Sequence, residues 1–452
     1  MKKYFTKLSC CVFAYAVLLL YVQPSWSRLV FTLPGTLASS VNALHVGDTL
    51  LLKNGVHQIK SIRVETDSVA ILGEPGAIIR GDRTGQVLKI LGNHVSIGGI
   101  TVEGSGTNPV ESDAAIAVYA LNARIFDCKF QDYCHGIYLE RAHFATITNN
   151  RFTGRNDRPE RENGNAIHLY LTNGATITAN EFHGGLDGVY FDVCDGGKTV
   201  ANRATTVRYG VHYMNSRNQV CANNRVSESF VGVAVMYAAS VVVSGNYLHD
   251  NLRANAYGIL LQDIESCTVS GNNVIANEAG FLIENVRASV LSQNRVERNR
   301  TAMELFSNCS KTEVVQNDFI ANSVALKTKT ITREPRFTTK FFNNYWSTLN
   351  RVDFDDDGIV DLPMRIDEPF EQLLGEQPLL RLLQGTPAHY LWNTIGLLQT
   401  KAVHIIDPKP QRWEVTSLSL KMNRHDSHIF TTILTLLISA TLLLCLMKHS
   451  RR

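Results

Sequence analysis

The chain has 452 residues, 44% hydrophobic and 19% charged, so a large buried core is available and global disorder is excluded. Lys and Arg number 44 against 41 Asp and Glu, which leaves a formal net charge of +3. No long basic stretch lies in the body of the chain, and this disfavours a nucleic-acid groove, which normally needs a basic stripe. The 31 glycines and 12 prolines are spread along the chain, which excludes a collagen-like or low-complexity class.

The N-terminal residues 1–27 are typical of a secretory signal peptide. Lys2 and Lys3 give a basic start, residues 10–22 are apolar, and Ser-Trp-Ser ending at Ser27 is a small-residue cleavage site. This order of segments predicts export across the membrane, with cleavage after Ser27. After it, residues 37–44 predict a short amphipathic capping helix, and residues 47–52 predict the first strand.

The middle of the chain repeats about every 22 residues. Five-residue units rich in Gly, β-branched and aromatic residues recur with this spacing, and a regularly placed asparagine keeps the same interval: Asn150, Asn180, Asn202, Asn224, Asn246, Asn272 and Asn294. Extra residues within 153–163 and 250–255 predict two loops that bulge from one corner. Asn at a turn tolerates left-handed backbone angles, and stacked Asn side chains can form a hydrogen-bonded ladder.

A period near 22 with short β-rich runs is typical of a parallel β-solenoid, and right-handed crossovers are the default. We therefore predict an all-β fold, a right-handed parallel β-helix with a short helical C-terminal cap and one C-terminal transmembrane helix. The predicted segments are the signal peptide 1–27, the β-helix 28–346, an Asp-rich loop and helical cap 347–410, a linker 411–428, the transmembrane helix 429–447 and a cytoplasmic tail 448–452. Within the cap, residues 365–400 carry apolar positions at helical spacing.

Residues 429–447 contain no charged residue and precede a basic tail. A helix of this length spans about 28 Å, close to the hydrocarbon thickness of a bilayer. The basic tail predicts a cytoplasmic C-terminus, so the preceding chain would lie in the periplasm, anchored to the inner membrane. The alternative is a buried C-terminal helix.

Strand alternation places one set of side chains on an outward face of the predicted β-helix. The candidate contact residues for copper or a partner on this face and beside it are His168, Tyr190, Asp192, His212, Met214, Met236 and Tyr237. Imidazole and thioether ligands beside carboxylates favour copper, whereas aromatic rings beside carboxylates suit a sugar-binding groove. An ordinary sheet surface is the third interpretation. Because His212, Met214 and Met236 point outward, we expect their replacement by Ala to change stability by no more than about 0.5 kcal/mol.

An enzymatic role has little support on this outward face. Lyases and epimerases on this fold generally need a cation near the acids, and the outward positions of the five-residue units contain no Arg or Lys, although Arg208 and Arg217 are near in sequence. The Asp-Pro-His-Asp motif of mannuronan epimerases is absent from the sequence. We therefore predict no catalytic residue.

An acidic loop follows the repeats. It places carboxylates at positions 1, 3, 5 and 9 of a calcium-type loop: Asp353, Asp355, Asp357 and Asp361. Gly358 stands at position 6 as that loop requires, but Met364 stands at position 12, where a bidentate acid is expected. The loop is either a calcium site or a simple Asp-rich turn. Elsewhere, Cys128 and Cys134 are close enough in sequence to form a disulfide in an oxidising compartment.

Several of these segments resemble the NosD family of periplasmic β-helix proteins. The matching sequences are YGVHYM (209–214), VMY (235–237), NNYW (343–346), DFDDDGIVD (353–361), PMR (363–365), FEQLL (370–374), PLLR (378–381) and PA (387–388). The similarity runs in order from about residue 37 to residue 410. The succession of NNYW, acidic loop and PLLR is more specific than the repeats, which any β-helix has.

The resemblance implies an accessory factor rather than an enzyme. The family acts on apo nitrous oxide reductase during assembly of its copper-sulfide centre, with an ABC-type ATPase and permease, and a copper chaperone lipoprotein is a further expected partner. Transient copper is the implied cargo, and His212, Met214, Met236 and Tyr237 match the family's pattern. The alternative is a carbohydrate-binding or polysaccharide-modifying β-helix protein.

Overall fold

The computed structural model describes residues 27–155, 157–329, 338–348, 352–367, 370, 373–374, 377–383, 385–398 and 405–416. Within them, successive coils of short strands each add a strand to three parallel sheets. The result is a right-handed parallel β-solenoid of about 14 turns. The predicted fold of this part of the chain is confirmed.

The three sheets run along the whole solenoid. The 14-stranded sheet contains Leu29–Thr32, Thr49–Leu52, Ala70–Gly73, Ser96–Gly98, Arg124–Phe126, Thr146–Thr148, Thr176–Thr178, Lys198–Val200, Val220–Ala222, Val242–Ser244, Thr268–Ser270, Val290–Ser292, Glu313–Val315 and Lys340–Phe342. The 13-stranded sheet contains Gly55–Gln58, Ala77–Arg80, Thr101–Glu103, Lys129–Gln131, Arg151–Thr153, Glu181–His183, Arg203–Thr205, Arg225–Ser227, Tyr247–His249, Asn273–Ile275, Arg295–Glu297, Asp318–Ile320 and Tyr345–Trp346.

The third sheet has 12 strands and carries the predicted site. Its strands are Ile62–Val64, Leu88–Ile90, Ala114–Val118, His135–Glu140, Ile167–Tyr170, Asp187–Asp192, Tyr209–Met214, Val231–Met236, Tyr257–Glu265, Ala279–Arg287, Thr301–Phe306 and Val324–Lys329. A short antiparallel pair, Met364–Arg365 with Ile406–Asp407, lies beyond the last coil. The described helices are Leu37–Asn42 and Pro387–Leu398, with 3-10 turns at Glu160–Glu162 and Pro378–Leu383.

The inward side chains of all three sheets form one continuous apolar core. In the 12-stranded sheet, alternation directs Val189 and Phe191 into this core, and both are fully buried. Because each coil lies in register on the next, like residues stack, as Phe130 does on Phe152 with ring centroids 4.5 Å apart. The core therefore leaves the outward positions of each strand available for other roles.

The predicted asparagine ladder is present. The Asn202 side-chain oxygen accepts hydrogen bonds from the backbone N–H of Asn180 at 2.9 Å and from its side-chain amide at 3.0 Å, and the pattern repeats along the solenoid. The left-handed residues at this corner are those just before the ladder, such as Ala179 and Ala201 with φ of 55° and 56°. The ladder asparagines are not among these left-handed residues, and their role lies in the side-chain amide.

The N-terminal predictions are partly confirmed. A capping helix forms at Leu37–Asn42 and buries Leu37 and Val41. The first strand is Leu29–Thr32 rather than the predicted segment 47–52, because it pairs in parallel with Thr49–Leu52 and covers the edge of that strand. Cys128 and Cys134 are both free thiols, so the suggested disulfide is absent.

The described residues of the predicted helical cap 365–400 include a regular helix and a 3-10 turn. The helix covers Pro387–Leu398, and Leu379 and Leu382 are exposed in the 3-10 turn Pro378–Leu383. Residues 1–26 of the predicted signal peptide and the predicted membrane-spanning segment 429–447 lie outside the described residues. Among the described helices, none has the length and apolar character needed to cross a membrane.

Candidate functional site

The outward face of the 12-stranded sheet carries two columns of side chains in the predicted register. Tyr138, His168, Tyr190 and His212 are successive register partners, and their rings follow one another with centroid distances of 5.3, 4.9 and 4.7 Å. The second column runs through Tyr170, Asp192, Met214 and Met236, which pair in the same way and are half-buried. The structure therefore brings six of the seven predicted contact residues onto one face.

Tyr237 does not belong to this face. It follows Met236 at the corner, has a left-handed φ of 51° and is 54% exposed. Its side chain lines a separate surface depression with Arg217 and Asp263. The corner turns Tyr237 away from the two columns, so it contributes to a different surface.

Strand alternation does not predict a third set of outward side chains on this sheet, because a glycine in the strand interrupts the alternation. Gly210 faces the interior, where an added Cβ would lie 2.5 Å from a Val226 methyl group and 2.6 Å from the Gly232 carbonyl oxygen. Since Val211 also points inward, Tyr209 and His212 share the outer face, with ring centroids 4.8 Å apart. The sequence does indicate this third set, because the residue before the equivalent glycine is also polar in other coils.

Asp187 and His135 occupy that equivalent position in their own coils, and Asp187 is the centre of the site. Its carboxylate is fully buried and receives Nδ1 of His212 at 3.0 Å. Arg208 donates to the same carboxylate through Nε and Nη2, both at 2.8 Å. Burial by itself raises the pKa of Asp187, but the hydrogen bonds from His212 and Arg208 outweigh it and hold the pKa below its ordinary value.

The hydrogen bond to Asp187 decides what His212 can do chemically. Because a carboxylate only accepts, Nδ1 of His212 carries the proton of this hydrogen bond, and Nε2 presents a lone pair when it carries no proton itself. Nε2 is buried and has no hydrogen-bond partner within the described residues. A carboxylate that orients an imidazole in this way is the usual outer-shell arrangement of histidine metal ligands. His212 is therefore prepared to act as a ligand or a base.

The burial of His212 corrects the expectation of a freely exposed side chain. His212 is 4% exposed, and its removal would leave Asp187 and Arg208 with an incomplete ion network. The structure contradicts the exposure from which a small effect of Ala at this position was predicted, so we expect a larger loss of stability there. Half-buried Met214 and Met236 remain compatible with the original expectation.

Two further histidines, His135 and His168, lie on the N-terminal side of His212 along the solenoid. Nδ1 of His135 accepts the backbone N–H of Asn165 at 3.0 Å, and its ring lies 5.0 Å from that of His168. Burial lowers the pKa of His135 to about 4, while burial and the neighbouring His135 lower that of His168 to about 3. Both rings are therefore neutral at pH 7.

These lowered values predict a pH dependence of folding stability. In the unfolded chain a histidine takes up a proton near pH 6.5, whereas folded His135 resists protonation until about pH 4. Its contribution is therefore complete above pH 6.5 and is lost as the pH falls towards 4, a difference of roughly 3 kcal/mol. Urea unfolding between pH 7 and 4.5 should show a smaller loss in His135→Gln than in the wild type; identical slopes would contradict the assignment.

The two predicted insertions meet beside this site. Arg253 of the second loop pairs with Glu160 of the first, with 2.9 Å between Nη1 and Oε2, which confirms that both loops bulge from one corner. Pro159, Glu160 and Arg161 then line a cavity of about 330 Å³ with Leu186 and Arg208. The loops thus form a wall next to the Arg208–Asp187 pair.

The acidic loop forms a separate cluster. Ligand atoms of Asp353, Asp355 and Asp361 lie within 4.8 Å of one another, and this is the one such group of three His, Cys, Asp or Glu residues in the described parts of the chain. The structure does not include Asp357 in the group, and its Oδ1 instead accepts the backbone N–H of Ile359 at 2.8 Å. Three of the four predicted calcium ligands are therefore brought together.

The fold and the outer face define a class: a parallel β-helix protein with a histidine, tyrosine and methionine surface. Residues 154–351, which include the His168–Met236 part of that surface, match the family model described as "Periplasmic copper-binding protein (NosD)". The chain is NosD-like, as the motifs of the sequence predicted.

Two curated relatives extend this similarity beyond the matched domain. The chain is 25% identical over 332 residues to the "Probable ABC transporter binding protein NosD" of Stutzerimonas stutzeri, which covers 70% of this chain and 75% of that protein. It is 29% identical over 331 residues to the protein of the same name from Pseudomonas aeruginosa strain PAO1, which covers 70% and 76%. Both relatives are named as ABC transporter binding proteins.

Solved structures share the fold at low sequence identity. A PL6 alginate lyase in complex with a trisaccharide is 13% identical, with a TM-score of 0.57 over 72% of this chain and 86% of that chain. The Yersinia enterocolitica family 28 exopolygalacturonase is 11% identical, with a TM-score of 0.53 over 70% and 77%. The Streptococcus pneumoniae adhesin PfbA is 13% identical, with a TM-score of 0.54 over 65% and 88%. These similarities establish the β-helix architecture and nothing about activity.

Proposed function

We propose that this chain is a periplasmic accessory factor that contacts copper transiently during assembly of the copper-sulfide centre of nitrous oxide reductase. The observation that carries the proposal is the buried, unpartnered Nε2 of His212, oriented by Asp187 through Nδ1 at 3.0 Å. The half-buried Met214 and Met236 lie on the same face and add soft thioether sulfur. Copper is the cargo here and not a resident cofactor.

The proposed partners follow from the names of the relatives and from the family resemblance. An ABC-type ATPase and permease would dock the protein at the inner membrane, and a copper chaperone lipoprotein and apo nitrous oxide reductase would exchange cargo with it. The segment 429–447 is proposed as the membrane anchor. Calcium at the acidic loop is proposed as a separate, structural ion.

The outer face supplies a physical reason for transient contact. His135 and His168 are neutral at pH 7 because burial lowers their pKa values, so neither repels an approaching cation. Yet no three His, Cys, Asp or Glu ligand atoms come within 4.8 Å of each other on this face of the described solenoid. A site with one oriented imidazole and two thioethers suits weak binding of a soft ion and its release to a partner.

Direct Cu(I) binding tests the proposal. The purified protein is titrated with Cu(I) in competition with a chromogenic chelator, and the double variant Met214→Leu/Met236→Leu should bind at least about tenfold more weakly, because only the sulfur ligands are removed. Reductase isolated from a strain that carries this variant should be copper-deficient. Met303→Leu is the matched control, since Met303 is buried in the core at 1% exposure. Unchanged Cu(I) affinity together with a fully metallated reductase would exclude the methionine pair.

A polysaccharide-binding or polysaccharide-modifying role is the second candidate. Outward tyrosine rings beside carboxylates favour it, since Tyr190 lies next to the Asp192 column on one sheet face. The cation that such chemistry needs is Arg208, but two of its nitrogens already bind Asp187 at 2.8 Å. Cleavage of alginate or polygalacturonate by the purified protein would favour this candidate over copper handling.

A further inference from the structure

The C-terminal end of the β-helix is closed by a returning segment, residues 405–416. Gln411 donates its backbone N–H to the Asn344 carbonyl at 2.9 Å and forms a parallel bridge with Tyr345, which continues the 13-stranded sheet by one residue. Asp407 is fully buried, and its Oδ2 accepts the Asn344 side-chain amide at 3.0 Å and Trp346 Nε1 at 3.1 Å. The segment therefore supplies the last acceptor of the asparagine ladder.

The acidic loop covers the other side of this segment. Val360 donates to the Pro410 carbonyl at 2.8 Å, Arg412 donates to the Gly358 carbonyl at 3.0 Å, and Ile359 forms an antiparallel bridge with Gln411. The returning segment is thus held between the last coil and the loop that contains the acidic cluster. Any change in the conformation of the loop would act directly on the closure of the solenoid.

Within the loop, one carboxylate oxygen lacks a partner although it is buried. The Asp353 side chain is 0% exposed, and its Oδ2 accepts the Gly358 N–H and the Arg412 guanidinium, both at 3.1 Å. Its Oδ1 is buried and has no hydrogen-bond partner among the residues that the structure describes. Ligand atoms of Asp355 and Asp361 lie within 4.8 Å of a ligand atom of Asp353. A buried carboxylate oxygen without a hydrogen-bond donor offers a ligand position to a cation.

We infer that Asp353, Asp355 and Asp361 bind calcium, and that the bound ion latches residues 405–416 across the end of the β-helix. Calcium accepts several carboxylate oxygens in flexible geometry, whereas magnesium demands a near-ideal octahedron. Arg412 approaches Asp353 through Oδ2, which leaves Oδ1 for the ion. The latch is independent of copper handling at the 12-stranded sheet.

The strength of the site follows from its ligands. Three carboxylates converge, and position 12 of the loop, where a bidentate acid normally completes the site, is Met364. With that ligand missing, we expect an affinity in the range of extracellular calcium modules, about 10⁻⁴–10⁻³ M. The test therefore uses millimolar calcium.

Hydrogen exchange of the full-length protein, purified in detergent, tests the latch. Addition of about 10 mM calcium, about tenfold above the weaker end of that range, after treatment with a chelator should slow exchange in peptides that cover residues 405–416 and 352–361 by at least about tenfold. Peptides from the mid-helix residues 198–227 should not respond and provide the internal reference. Magnesium at the same concentration should have a much smaller effect.

Matched variants separate the ion from the charge of the loop. Asp355→Asn/Asp361→Asn should abolish the calcium response, whereas Asp356→Asn should retain it, because Asp356 is 88% exposed and lies outside the group of three. Exchange of the wild type that is the same with calcium and with chelator, together with no calcium binding by calorimetry, would overturn the site. Calcium binding by calorimetry without any change at residues 405–416 would overturn the latch.

Discussion

Replacement of Asp187 by Ala should lower the free energy of unfolding by about 3–5 kcal/mol, the range measured when one partner of a buried ion pair is removed. Asp187 is fully buried, and its carboxylate is the shared acceptor of Arg208 and His212. Without this carboxylate, the Arg208 guanidinium, which is 36% exposed, loses both of its hydrogen bonds to Asp187. His212 also loses the group that fixes its tautomer. Urea unfolding at pH 7 measures the loss.

Two comparisons define this effect. Asp192 lies in the same strand, but it is half-buried and, among the contacts described, accepts only a long 3.5 Å hydrogen bond from Asn215. The variant Asp192→Ala should therefore lower the free energy of unfolding by less than about 1 kcal/mol. The double variant Asp187→Ala/Arg208→Met should be more stable than the sum of the two single variants predicts, because the unpaired charge is also removed. Strict additivity would show that the two side chains do not act as a pair.

The second large effect is expected in the asparagine ladder. Asn224→Ala should cost about 3–5 kcal/mol, because several buried polar groups lose partners at once, each at about 1–3 kcal/mol. The Asn224 side-chain oxygen accepts the backbone N–H and the amide of Asn202 at 2.9 and 3.0 Å. Its amide donates to the Thr199 carbonyl at 2.9 Å and to Asn246 Oδ1 at 3.0 Å. In a solenoid this weakens the contacts with both neighbouring coils.

Thermal unfolding measures the ladder effect, with two reference variants. Asn224→Asp keeps an acceptor for Asn202 but removes the donors, so its melting temperature should fall between those of the wild type and Asn224→Ala. Lys198→Ala, an exposed position in the adjacent coil, should change stability by no more than about 0.5 kcal/mol. A melting temperature of Asn224→Ala equal to that of Lys198→Ala would contradict a structural role for the ladder.

The register of the outward columns could be read from the sequence because each coil adds one strand in phase with the last. Once the period near 22 is known, His168, Tyr190 and His212 must be neighbours along the solenoid, and the structure pairs them in that way. The same periodicity located the ladder, since its asparagines keep the same intervals as the repeat units, including the two longer ones. These features are local and repetitive, so the chain encodes them redundantly.

The position of Asp187 could not be read in this way. Strict alternation assigns the residue before the glycine to the interior, and only the close approach of Gly210 to the Gly232 carbonyl of the next coil shows why that rule fails. The burial of His212 has the same kind of origin, because it depends on Tyr209 and on a carboxylate one coil away. Contacts between coils decide these side-chain environments, and no pattern within one repeat contains them.

The chain by itself determined the β-helix, its period, the outward columns and the acidic loop, because hydrophobic alternation, turn residues and repeat spacing are properties of short segments. Only the tertiary structure decided that His212 is held by Asp187 and Arg208, and that Asp407 ends the ladder begun at Asn150. Asp407 meets Asn344 across 63 residues of sequence. The physical reason is that buried polar groups must find partners wherever the folded chain places them, and such partners carry no fixed spacing in sequence.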